Sequence, residues 1–315
     1  MSSVAKNLKK PIYAVVGPTA SGKTEIGVEL ALRIGGEIIN CDSVQIYKEI
    51  EIATAKPSIE EMRGVPHHLI NYVSPETNYT AADWAKDATE KIYEIEARGN
   101  MAILVGGTGF YLRSLRQPFF ESPQTDKKLR EKLTKIKNER GAAHLYKILQ
   151  KVDKVSAAKN YPRDYVRAMR ALEVYFQTGM RISHIQPNRI EPPEFSNRIE
   201  IFALNPSRPL LYERINRRAK RHFENGLVEE VKLLREKGVK DDTNALGAHG
   251  YRRVCEYLRG ERTLESAIEQ TKQDVRNYAK RQMSWFRHKE NVIWLEGFGN
   301  DENLQEKFWK MLEIK

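Results

Sequence analysis

The segment Gly17, Pro18, Thr19, Ala20, Ser21, Gly22, Lys23, Thr24 has the spacing G-x-x-x-x-G-K-[ST], and each residue type in it helps to grip a polyphosphate. Glycines let the backbone curl so that successive N–H groups and the start of a following helix point at one anion. Lys23 adds a point charge, and the Thr24 hydroxyl is suited to ligate Mg²⁺. The expected ligand is a di- or triphosphate, with Mg²⁺ as cofactor; the competing reading is a glycine turn that merely contains Lys-Thr. A common nucleotide hydrolase also places an acid after a second apolar strand to hold the metal. Here the run Met101 to Val105 leads into Gly106-Gly-Thr-Gly109, which holds no acid. Asp42, at the end of a shorter apolar run, is the carboxylate expected at the ligand crevice, as metal ligand or proton acceptor. Capping of its own turn through Ser43 is the structural alternative.

Positioning these groups requires strands and helices to alternate. Ile12 to Val16 is the strand before the turn, and the helix after it carries Ile26, Leu30, Ala31 and Ile34 on one face, with Gly35-Gly36 closing it. Glu37 to Asn40 reads as a second strand, and Ala81 to Arg98 as a helix leading into the strand Met101 to Val105. Short buried strands separated by helices imply an α/β fold with a P-loop NTPase-like parallel sheet covered on both faces. From about Leu115, charged helices such as Asp126 to Glu139 and Arg163 to Gln177 take over, ending near the Pro-rich stretch Pro187 to Pro193. Ile199 to Leu204 resumes the sheet, helices follow at about Pro209 to Lys237 and Leu264 to His288, and Val292 to Leu295 is a last strand before a short helix. The expected domains are a core of residues 1–115 and 197–315, interrupted by a helical insertion, 116–196.

The 315 residues are 40% hydrophobic and 30% charged, which suits a chain with a core and excludes disorder by composition. The formal charge of +11 is uneven: residues 1–114 carry a net −2 and the remainder +13. An acidic partner is therefore expected on the later part. Cys41 and Cys255 cannot build a disulfide framework, and no Cys/His group has zinc-finger spacing. The longest apolar runs are far too short to span a membrane, and the N-terminus shows no leader core. A cytoplasmic monomer without membrane contact is expected.

Seven segments together resemble the tRNA dimethylallyltransferases, the IPP transferase (tRNA isopentenyltransferase) family. They are the turn Gly17 to Thr24, Asp42-Ser-Val-Gln-Ile-Tyr47, Thr54-Ala-Lys-Pro57, Val65-Pro-His-His-Leu-Ile70, Gly106-Gly-Thr-Gly-Phe-Tyr111, Arg170-Ala-Leu-Glu-Val174 and Tyr278-Ala-Lys-Arg-Gln-Met-Ser-Trp-Phe-Arg287, in the family's order. The resemblance implies transfer of a dimethylallyl group from dimethylallyl diphosphate to the exocyclic amine of the adenine 3′-adjacent to the anticodon, with release of diphosphate. It implies that the turn clamps the leaving group, that Asp42 is the general base, and that Ser43, Val44 and Gln45 lie against the nucleotide. Thr108 and Arg130 look like further tRNA-facing positions. Val166, Arg167, Ala168, Met169 and Arg170 resemble a contact to the anticodon stem-loop, which makes the insertion RNA-facing.

The residues suit this chemistry. An allylic diphosphate ionises once charge on the departing group is neutralised by Lys23, Mg²⁺ and oriented N–H groups, and Asp42 need only collect a proton late. Arg214 and Arg218, one helical turn apart, are candidates to add charge, Arg218 being assigned to the donor site. On the segment Arg276 to Arg287, Arg276, Lys280 and Arg287 share a face while Met283 and Phe286 turn to the core; Lys280 and Arg281 are the expected RNA contacts. The chain departs from the family pattern at Ala53, Asn71 and His249, and His67-His68, which lacks partner ligands at metal spacing, reads as structural or as part of the donor pocket. The competing functions are a nucleoside or polynucleotide kinase, a prenyltransferase acting on free adenine nucleotides, and a non-catalytic RNA-binding protein.

Overall fold

The computed structural model describes residues 10–120, 123–188 and 190–314. Residues 1–9, expected to lack a leader core, and Arg189, inside the expected Pro-rich boundary, lie outside the described residues. Apolar runs become the strands β1 Ile12–Val16, β2 Gly36–Asn40, β4 Met101–Gly106, β5 Ile199–Asn205 and β6 Ile293–Glu296; β3 is His67–His68. They form an all-parallel sheet in the order β3-β2-β4-β1-β5-β6. The strand β3 escapes a hydrophobicity reading because it consists of two histidines, paired with Ile38 and Ile39.

Alternation along β1 fills two cores. Ile12, Ala14 and Val16 pack with Trp84, Leu112 and Phe286, whereas Tyr13 and Val15 pack with Ile26, Phe202 and Phe308. The register places Val16 opposite both Gly106 and Ala203, and Asn40 opposite Val105. β1, β2 and β4 therefore end level, and the segments that follow them leave the sheet side by side. From β1 the chain moves toward β2 and from β5 toward β6, so this carboxyl edge is a topological switch point, where open α/β sheets keep their ligands.

Local chemistry sets the helix ends. The helix Lys23–Ile34 stops at Gly35, whose φ of 63° lets its N–H donate to the Ala31 carbonyl; Gly36 already belongs to β2. The single helix expected over 209–237 is two, Arg208–Glu224 and Leu227–Glu236, because Gly226 turns the chain at φ 92°. Arg163 precedes its helix, Tyr165–Thr178, since Asp164 caps it by accepting the Arg167 N–H.

The chain divides into two compact units, Met1–Arg116 with Pro193–Lys315, and Gln117–Pro192. The second holds sixteen Lys and Arg against eight Asp and Glu, a net +8. Its helices enclose Leu145, Leu149, Leu172, Val174 and Ile182. Asp153, 2% exposed, ties two of its segments by accepting the N–H groups of Ser156 and Ser183. Among the described residues no helix is long and apolar enough to cross a membrane.

At the amino end of β2, buried Glu37 accepts hydrogen bonds from Arg98, Asn100 and His68. Burial alone would raise its carboxyl, but these partners pull it down to about 2. A carboxylate depressed in the folded state contributes stability above its ordinary 4.5 and loses it as pH falls toward 2. Glu37→Gln is expected to lower stability near neutrality by about 1.5–3 kcal/mol and to flatten the acid limb. Urea melts over a pH series check both, with substrate KM values unchanged.

Candidate active site

The turn after β1 bends through three positive φ values, 145° at Gly17, 66° at Ala20 and 85° at Gly22. A Cβ on Gly22 would lie 3.0 Å from the Gly299 nitrogen, whose N–H donates to the Ser21 carbonyl at 2.8 Å. Packing as well as conformation thus demands glycine there. Lys23 Nζ donates to the Pro18 carbonyl at 2.7 Å, so the lysine lies along its own loop. The Thr19 N–H donates to Gln282 Oε1 at 2.8 Å, and Arg218 donates to the Thr19 hydroxyl. The Ser21 hydroxyl is buried without a partner among the described residues.

Asp42 follows β2 in a turn of its own making. Its Oδ1 accepts the N–H groups of Val44 at 2.9 Å and Gln45 at 3.4 Å, so the structural use foreseen for it is real, through Val44 and Gln45 rather than Ser43. Among the described residues no donor reaches Oδ2. The neighbouring Ser43 N–H donates to the Thr108 hydroxyl at 3.0 Å, and the Thr108 N–H donates to the Cys41 carbonyl. Asn40 steadies the same turn, its side-chain amide donating to the carbonyls of Asp42 and Leu69. Gln45 in turn donates to the Thr54 and Ala55 carbonyls and holds that loop against the site.

The residues Thr19 to Thr24, Asp42, Gln45, Lys56 and Arg218 line one cavity of about 590 Å³ at the carboxyl edge. Burial lowers the Lys23 ammonium to about 8, against the pull of Asp42 and with help from Arg218. Burial likewise lowers Arg218, with Asp42 opposing; a guanidinium stays charged even so. Lys23 and Arg218 thus share the cavity with Asp42, an arrangement that can neutralise a polyphosphate and accept a proton.

The glycines at the end of β4 and just after it serve by allowing close approach. A Cβ on Gly106 would sit 2.0 Å from the Cys41 carbonyl oxygen, and one on Gly109 would sit 2.2 Å from Trp285 Cδ1. Gly109→Ala is expected to displace the Trp285 ring and cost about 1–3 kcal/mol by overpacking, seen as a lowered melting temperature and a changed tryptophan emission.

Several expected site residues lie elsewhere. Arg214 stacks 3.6 Å from the Phe298 ring centre and donates to Asn300, away from the cavity lining. Ala168 and Met169, 1% and 7% exposed, are corrected from an RNA-facing stripe to the core of the helical unit, because the helical period turns them inward. Val166 and Arg167 are exposed on that helix. Arg170 bonds Glu173 and the Pro123 carbonyl, and Arg130 grips the fully buried Glu173 through two nitrogens at 2.5 and 2.9 Å. Lys280 and Arg281 are exposed on the helix Leu264–Lys289, with Arg281 over the Tyr278 ring at 5.8 Å. His68 is held by Glu37 and His67 by the Val65 carbonyl. Gln282 is a site residue that sequence reasoning does not reach: the one signal is its place within the segment Tyr278 to Arg287, and its burial comes from the fold.

A parallel sheet whose carboxyl edge carries a glycine turn, with Lys23, Arg218 and Asp42 on one cavity, defines an α/β protein of P-loop NTPase-like fold. The family model for IPP transferase matches residues 45–289, and the chain belongs to that family, the tRNA dimethylallyltransferases. It is 44% identical over 290 residues to the tRNA dimethylallyltransferase of Koribacter versatilis, covering 92% of this chain and 94% of that one. With the enzyme of Geobacter metallireducens it shares 44% over 299 residues, 94% and 96% of the two chains. The solved full-length tRNA isopentenylpyrophosphate transferase of Bacillus halodurans matches with a TM-score of 0.71 at 38% identity, covering 97% and 96%. A eukaryotic dimethylallyltransferase acting on tRNA matches at 0.76 and 28%, covering 96% of this chain and 77% of that one.

Proposed function

We propose that this chain transfers the dimethylallyl group of dimethylallyl diphosphate to the exocyclic amine of the adenine 3′-adjacent to the anticodon in tRNA, releasing diphosphate. The observation that carries it is the sharing of one cavity by the glycine turn, with Lys23 and Arg218, and by Asp42. Diphosphate oxygens take the place of the Pro18 carbonyl at Lys23 and find Arg218 and the unpartnered Ser21 hydroxyl beside it. As the bond from the allylic carbon to oxygen breaks, these groups stabilise the leaving charge. The amine nitrogen bonds to that carbon and its proton passes to Asp42 Oδ2, while Oδ1 keeps the turn in place.

The donor set suits Mg²⁺. Thr24 and Asp42 supply oxygen to the cavity, and among the described residues no cluster of three His, Cys, Asp or Glu groups could hold a metal alone. A small, hard cation bound mainly by phosphate oxygens and water, with Thr24 as protein ligand, fits such a site. When bound it would supply further charge at the leaving diphosphate.

The net +8 of the helical unit supports a role in holding RNA; a cytoplasmic setting belongs to the same proposal. Arg167, with its side chain 71% exposed and paired with Asp164, is the candidate for a phosphate contact. Arg167→Ala is expected to weaken stem-loop binding and reduce its salt slope by about 1. Arg170→Ala instead removes the bond to the Pro123 carbonyl and one of the two guanidiniums beside buried Glu173, and should register as lost stability. The direct test of the whole reading is mass spectrometry of tRNA incubated with dimethylallyl diphosphate and the protein: a gain of one dimethylallyl group at the adenine following the anticodon supports it. Loss of the γ-phosphate of ATP without prenyl incorporation would favour a kinase.

A further inference from the structure

We infer that one buried face of the helix Leu264–Lys289 sets the separation between the donor turn and the acceptor carboxylate, with Gln282 and Tyr278 as positioning residues. This rests on the transfer proposed above. The two residues are four apart and share a helical face. Gln282, 5% exposed, accepts the Thr19 N–H at 2.8 Å and donates to the Gly107 carbonyl at 2.9 Å. Thr19 belongs to the turn after β1 and Gly107 to the segment after β4. Thr108, next to Gly107 in the chain, accepts the Ser43 N–H beside Asp42 on its hydroxyl, and Tyr278 lies close to that hydroxyl. One side of one helix therefore holds all three segments that carry donor and base. A Cβ on Gly107 would lie 2.1 Å from Gln282 Nε2, so the approach is built into both partners.

The allylic cation formed in the cavity is captured by whichever nucleophile is held about 3–3.5 Å away. With the turn and Asp42 in register that nucleophile is the adenine amine, which bonds to carbon and yields its proton to Asp42. If the turn drifts, water takes the amine's place. The carbon–oxygen bond to diphosphate still breaks, a new bond forms to the water oxygen, and the proton passes to solvent, giving dimethylallyl alcohol and diphosphate. Positioning is thus read as the ratio of alcohol to prenylated RNA. Loss of folded protein lowers both products together and leaves that ratio unmoved.

The test uses the full chain with labelled dimethylallyl diphosphate and an anticodon stem-loop. Gln282→Met, which keeps volume and removes both hydrogen bonds, is expected to raise the alcohol fraction about fivefold or more and lower kcat about 10- to 100-fold, with stem-loop KM within about threefold. Gln282→Glu keeps the acceptor for Thr19 and should fall between wild type and Gln282→Met. Tyr278→Phe, which loses a single hydroxyl, should raise the alcohol fraction about two- to threefold and decides the matter should the Gln282 variants fail to fold. Prenylated product with an unchanged ratio in these variants overturns the inference alone. Absence of prenylated product from the unsubstituted chain overturns the transfer reading and this one with it.

Discussion

Asp42→Asn is expected to slow prenyl transfer by about 10²- to 10⁴-fold, the range for losing a positioned general base, while stem-loop KM stays within about threefold. Asparagine keeps a carbonyl oxygen where Oδ1 accepts the Val44 and Gln45 N–H groups, so the turn survives. It cannot take a proton where Oδ2 stands. Asp42→Ala removes both uses and should also lower stability by about 1 kcal/mol. Single-turnover rates with a stem-loop, beside thermal melts, separate the two effects. A wild-type rate in Asp42→Asn would remove the residue from proton transfer.

Removing the charge of Lys23 is expected to act on the donor side alone. Lys23→Met should lower kcat/KM for dimethylallyl diphosphate by about 10²- to 10³-fold, comparable to loss of one donor from an anion hole. The ammonium is held at about 8 by burial, so it is charged below that pH and neutral above it. Donor kcat/KM is therefore expected to decline as pH rises through about 8. Lys23→Arg, which stays protonated throughout, should abolish that limb even if its bulk slows the reaction. A basic limb that persists unchanged in Lys23→Arg would assign the ionisation to another group.

Much of this site was legible because its chemistry is local in sequence. The turn Gly17 to Thr24 sits between a strand and a helix, and Asp42 closely follows a strand whose end the register sets level with β1. What stayed hidden depends on contacts over long separations or on helical phase. Gln282 reaches Thr19 across 263 positions, and a glutamine in a charged helix looks like a solvated one until its neighbours are known. Arg214 and Arg218 are alike by spacing, yet one lines the cavity and the other stacks on Phe298. Ala168 and Met169 sit within a basic stretch but point inward, which only the packing of the neighbouring helices decides. The strand β3 was missed because it pairs through its backbone and carries polar side chains.

The signature at residues 17–24 is held in shape by Arg218, Gln282 and the loop at Gly299, all encoded far downstream. A ribosome moving at roughly 5–20 residues per second needs on the order of 14 to 55 s after Thr24 before the last of these supports exists. Until then the nascent chain displays the phosphate signature without its scaffold, and abundant cellular nucleotides meet no finished cradle. Competence for chemistry therefore waits until residue 299 has been made, and a product cut short before it would lack part of the support of its phosphate turn.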